Sequence, residues 1–162
     1  MLDKKTCGIA IGMGVVSGMR SLSALAFISH RLSNDMRGKR MGRTASLLKS
    51  EHVSGALTAL AAGEMAADKL PVIPPRTEAA PLFGRAAMGA LAGAVVADVT
   101  RGARLPAALL GSVAAVVSTL AFYRIRKEAG ESTGIPDGVL AMLEDALVLT
   151  LGSRLSQMLV DD

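Results

Sequence analysis

Arg20, Glu64 with Asp68, Asp98, and Glu144 with Asp145 and Arg154 stand within otherwise apolar stretches, and of these Arg20, Glu64, Asp68 and Glu144 are the candidates for a polar site. A charge in a membrane helix is expensive, and it usually faces a partner or a water-filled cavity. Glu64 and Asp68 are four residues apart, so on a helix their carboxylates leave from one face. Arg20 is the one basic residue deep in its apolar segment and is the natural counter-ion. Glu64 is its first expected partner, with Asp68 and Glu144 next. Such a cluster could form a polar pocket for an ion, a proton or a small polar substrate. It could equally be a buried ion-pair cluster that only fixes helix register. Asp68, followed by Lys69 and close to Pro71, also fits an aqueous helix end.

Other chemistries lack their residues. The single Cys7 excludes an internal disulfide and a cysteine-based zinc cluster. His30 and His52 show no H-x-x-x-H spacing and read as surface residues at the ends of a basic loop. No stretch matches G-x-x-x-x-G-K-[ST], a dinucleotide fingerprint or a nucleophile elbow. The expectation is a non-enzyme with no metal and no cofactor.

The elements that must carry the charges are helices in lipid. Leu105 to Tyr123 runs nineteen residues without a charge and is closed by Arg124, Arg126 and Lys127. At ~1.5 Å per residue that length crosses a hydrocarbon core of ~30 Å. The chain of 162 residues is 51% hydrophobic, with mean hydropathy +0.42, and is of single-domain size (1–162). It has no Trp and one Tyr, so aromatic belts are missing, while its seventeen glycines suit helices whose backbones approach closely.

Five apolar segments follow: Cys7 to Ser29, Val53 to Leu70, Ala86 to Thr100, Leu105 to Tyr123 and Gly138 to Val160. Arg31 to Lys49, the proline-rich Pro71 to Arg85, a tight turn at Arg101 to Arg104, and the charged Arg124 to Asp137 connect them. Gly8-x-x-x-Gly12, Gly14-x-x-x-Gly18 and Gly89-x-x-x-Gly93 each bare one helix face. Their expected role is packing within the molecule; a homo-oligomer seam is the alternative. Lys4, Lys5 and the apolar run after them imitate a secretion signal, but Arg20 interrupts it and the segment is read as a mature helix.

Ser23 to Arg31 aligns with Ser118 to Arg126, and Leu60 to Ala66 with Leu140 to Ala146. Segment one would then correspond to four and segment two to five, an inverted repeat (7–70 and 105–160) about a central helix. Short matches also arise by chance in an Ala/Leu-rich chain, so both readings stay open. Arg20 has no counterpart, since it aligns with Ala115. Eight basic residues on one side against nine on the other give no orientation. The net charge is +4, but the basic loop Arg31 to Lys49 lacks interleaved aromatics. A lipid-facing loop therefore fits better than a nucleic-acid contact.

Several phrases resemble a known family. They are Gly18-Met19-Arg20-Ser21-Leu22-Ser23, Gly63-Glu64-Met65-Ala66-Ala67-Asp68-Lys69-Leu70-Pro71 with Pro74-Pro75-Arg76-Thr77, Gly84-Arg85-Ala86 through Gly93, and Glu144-Asp145-Ala146. Together they are similar to the bacterial membrane proteins grouped as the domain of unknown function 4126 family. The resemblance implies a small polytopic helical membrane protein and transfers no catalytic residue.

The expected molecule is thus an all-α integral membrane bundle of four to five spans, multi-pass in a bacterial inner membrane. Its expected partners are the lipid bilayer, a second copy of itself as an open alternative, and an unidentified ion or small molecule. One functional reading is a transporter- or channel-like module using Arg20, Glu64, Asp68 and Glu144. The other is a structural or partner-binding subunit in which those charges are scaffold.

Overall fold

The computed structural model describes residues 2–36, 41–67 and 78–160. Among them are seven helices and no strand: α1 (Lys4–Met19), α2 (Ser23–Asp35), α3 (Arg43–Leu48), α4 (Glu51–Ala67), α5 (Ala79–Thr100), α6 (Arg104–Thr133) and α7 (Asp137–Val160). Asp68 lies outside the described residues.

Local chemistry sets the helix ends. Asp3 caps α1 by accepting the Thr6 N–H at 2.7 Å. Hydrogen bonding to the Thr6 side chain, then to its N–H, holds the Asp3 carboxyl below the usual carboxylate range. Pro81 and Pro106 occupy first turns, where a missing N–H breaks no helical bond. α6 stops at Gly134, whose φ of 66° is the left-handed conformation that glycine adopts without a Cβ penalty.

Four expected boundaries differ. The first apolar segment is not one helix but two, broken at residues 20–22. The basic loop contains the short α3. Arg85, assigned above to a connection, lies within α5, and Arg124 to Thr133 continue α6. Proline and glycine content suggests loops at the last two places, but Pro81 in the first turn of α5 and Gly130 within α6 are compatible with helix, and only residues 134–136 connect α6 to α7.

α1, α5 and α6 form the centre, with α7 beside α1 and α2, and α4 resting mainly on α2. The central contact is made by absent side chains. A Cβ on Gly14 or Gly89 would strike the Gly111 carbonyl, one on Gly18 the Ala115 carbonyl, one on Gly93 the Ala107 carbonyl, and one on Gly111 the Gly89 carbonyl. Three backbones therefore meet near Gly111, a close approach that suits lipid, where helices gain nothing by hiding apolar groups from water. Gly12 faces the Leu155 side chain. Gly8, by contrast, has open space where its Cβ would be, so it takes no part in packing within the molecule.

Two helices, α5 and α6, are long and apolar enough to cross a membrane. Only 28% of the apolar stretch of α6 is buried, unlike the core helix of a water-soluble domain. Its exposed strip of Leu105, Leu109, Val113 and Val117 recurs every fourth residue, one lengthwise face of the helix. The other segments fall short by that measure: α1 and α2 have sixteen and thirteen residues, and α7 carries Asp137, Glu144, Asp145 and Arg154.

Candidate functional site

The break between α1 and α2 is where the charges gather. A helix end leaves carbonyls or N–H groups without helical partners, and burying them unpaired is costly. Here Arg20 is extended (φ −142°, ψ 111°) and donates its N–H to the Val16 carbonyl at 2.9 Å. The Ser23 N–H turns back to the Arg20 carbonyl at 3.2 Å, and further groups are answered from other helices.

Glu64 on α4 closes the start of α2. Its carboxylate accepts the Ser21 N–H at 2.8 Å, the Ser21 hydroxyl at 3.0 Å and the Leu22 N–H at 3.0 Å. An anion at a helix N-terminus also meets the favourable end of the helix dipole. Arg85 on α5 closes the end of α1, donating from Nη1 to the Gly18 and Met19 carbonyls, both at 2.8 Å. Its other terminal nitrogen approaches Glu64 at 3.7 Å. From α6, the Thr119 hydroxyl lies 2.9 Å from the Gly18 carbonyl and the Ser118 hydroxyl 3.1 Å from that of Val15.

Arg20 itself is fully buried and turns towards α7. Its Nε donates to Asp145 at 2.8 Å and its Nη2 pairs with the same oxygen at 2.7 Å. The expected Arg20–Glu64 pair is therefore corrected: the carboxylate on Arg20 is Asp145, and Glu64 is spent on backbone N–H groups and Arg85. Glu144, next along α7, pairs with Arg126 at 3.4 Å, while Arg126 also grips Asp137 through two bonds of 2.6 Å. Thus Arg20 and Glu64 meet at one place, Glu144 stands beside it, and Asp68 is not described.

Arg85, Asp145 and Thr119 were missed from sequence. Arg85 had a usable signal: it precedes Gly89 and Gly93 by four and eight residues, so it shares the face of α5 that packs inward. Asp145 had none, because nothing local separates it from Glu144.

Chemically, the arrangement holds two guanidinium groups and two carboxylates around a break in a helix, at a point touched by α1, α2, α4, α5, α6 and α7. Irregular backbone at membrane depth is tolerated only where protein or a water-filled cavity receives it. A separate cavity of about 270 Å³ between α2, α4 and α7 is lined by Ser23, Phe27, Thr58, Met65 and Leu149 among others. No curated protein and no solved structure matches the chain. A family model described as Domain of unknown function (DUF4126) matches residues 7–155, a stretch that contains the break and all its partners, and the chain belongs to that family.

Proposed function

We propose that the protein is a small bacterial inner-membrane module, transporter- or channel-like, whose polar site is the α1–α2 break. In this reading α1 with α2 makes one discontinuous crossing, and α4 and α7 join α5 and α6 to give four to five spans. The observation that carries it is the break itself: a buried Arg20 and the two helix ends are met by Glu64, Arg85 and Asp145 from three different helices. Discontinuous helices whose ends face charged groups are where many transporters bind ions and substrates, between inverted repeats. The Ser23–Arg31 and Leu60–Ala66 matches support such a repeat. Against it stands the continuity of α6 at Ser118, where α2 begins at the aligned Ser23.

The site suits a proton or a small cation. Glu64 meets Arg85 at 3.7 Å, a looser pair than Arg20 and Asp145 at 2.7 Å. A proton or cation arriving at Glu64 competes with Arg85 for the carboxylate and loosens its hold on Ser21 and Leu22. Glu144, with Arg126, flanks this path on α7; Asp68 remains a candidate in the same role.

The test is ion flux into vesicles containing the purified protein, followed with a pH-sensitive dye and with sodium or potassium gradients. Wild type should exceed protein-free vesicles, and Glu64→Gln, which keeps an acceptor oxygen, should return flux to the protein-free level while folded yield is retained. Absence of flux in wild type overturns the reading. The scaffold alternative is favoured by one observation, that the charges of the break answer each other. It predicts loss of folded yield on Glu64→Gln and no flux in any variant.

A further inference from the structure

We propose that the trough between α2 and α4 is a hydrated vestibule leading a proton or small cation to Glu64. The inference rests on the transport reading above and adds the route. Two cavities, of about 270 Å³ and 530 Å³, share His30, Thr58 and Ala62, so they form one continuous trough along α2. Its outer end carries Glu51, Asn34 and Ser54. Its inner end reaches Ser23 and Met65, which are two residues from Ser21 and one from Glu64, the pair joined at the break.

The buried Ser23 hydroxyl points to what fills this space. Ser23 is 1% exposed, lines the inner cavity, and its Oγ has no hydrogen-bond partner among the described residues. A buried hydroxyl without a partner is costly, and an acceptor or donor from the cavity would relieve it. A water needs on the order of 10–15 Å³ and two or more polar partners, so the inner cavity has room for several near Ser23, Thr58 and His30. The carboxylate of Glu51 at the mouth attracts positive ions and repels negative ones. Polar groups thus recur along an otherwise apolar passage, from Glu51 through His30 and Thr58 to Ser23, and Ser23 follows directly on Ser21 and Leu22, the two residues whose N–H groups Glu64 holds. The exposed Ala62 stands where both cavities meet.

Thiol labelling tests the route independently of flux. With Cys7→Ser as background, Ser23→Cys, Thr58→Cys and, as an exposed control, Ser132→Cys are placed in vesicles and treated with a cationic or an anionic methanethiosulfonate. Ser23→Cys and Thr58→Cys should react, faster with the cationic reagent, and Glu51→Gln should remove that preference. Adding Ala62→Phe should block Ser23→Cys and leave Ser132→Cys unchanged. The vestibule is overturned if Ser23→Cys stays unlabelled while the control reacts, if the anionic reagent reacts as fast, or if Ala62→Phe protects nothing. Proton and alkali-cation gradients then separate the two carriers, and in either case Ala62→Phe should lower flux. Labelling as expected with no flux in wild type would overturn the transport reading and with it the ion route.

Discussion

The α1–α5–α6 seam and the α1–α2 break hold the molecule together by opposite means. At the seam side chains are missing, and Gly14, Gly89, Gly93 and Gly111 let backbones touch. At the break there is an excess of polar groups, and Arg20, Glu64, Arg85 and Asp145 neutralise one another and the helix ends. The seam depends on shape, since a Cβ at these glycines would strike backbone; the break depends on charge balance, with each guanidinium answering carbonyls or a carboxylate from another helix. A chain that must leave one helix broken inside an apolar environment gains from having its immediate neighbour rigid, since Gly18 belongs to both regions: its Cα packs on α6 and its carbonyl accepts from Arg85.

The largest effect should come from removing a guanidinium at the break. Arg85→Ala leaves the Gly18 and Met19 carbonyls and the Glu64 carboxylate short of a partner, and breaking a buried pair in this way costs ~3–5 kcal/mol. Unfolding in mild detergent should show it, with Arg85→Lys recovering part of the loss because one ammonium cannot reproduce a fork of donors. A loss as small as that of an exposed-residue control would mean that the break is not held by Arg85.

At the seam, Gly111→Ala should cost about 1–3 kcal/mol, as overpacking does when backbone cannot yield. The same substitution at Gly8, which shares the Gly-x-x-x-Gly spacing of Gly14 and Gly89 but not their packing, should instead stabilise by about 0.5–1 kcal/mol, because the site is open and alanine favours helix. Equal signs for the two variants would remove the distinction between packed and unpacked glycines. The smallest effect lies outside both regions, at Asp3. Its carboxyl is depressed in the folded state, so its contribution is present above the unfolded carboxylate pKa and is lost as pH falls through the folded value. Asp3→Asn should weaken the acid-side pH dependence of stability only slightly.

This contrast also explains what could be read from sequence. Helix positions follow from local pattern better than helix ends do: the charge-free Leu105 to Tyr123 lies inside the longer α6, and Gly138 to Val160 is nearly α7. Glycine spacing located the seam but not its centre, Gly111, which matters only because Gly14 and Gly89 arrive there from other helices. Pairing at the break is wholly tertiary. Arg20 and Asp145 are 125 residues apart in the chain, and in sequence Glu64 is preferred as its partner only because both charges stand within apolar segments. The helix break had no proline or glycine within residues 20–22 to announce it; it exists because Glu64 and Arg85 satisfy what it exposes.

The claim that the break is a charge-balanced unit is tested most directly by a double-mutant cycle on Arg20 and Asp145. Arg20→Met or Asp145→Leu alone strands the other charge and should each cost ~3–5 kcal/mol, whereas the double variant, which buries no unmatched charge of this pair, should cost much less than their sum. Unfolding free energies in detergent for the four proteins give the coupling. A large favourable coupling is the predicted result; additive losses, or a double variant less stable than either single one, would contradict the account.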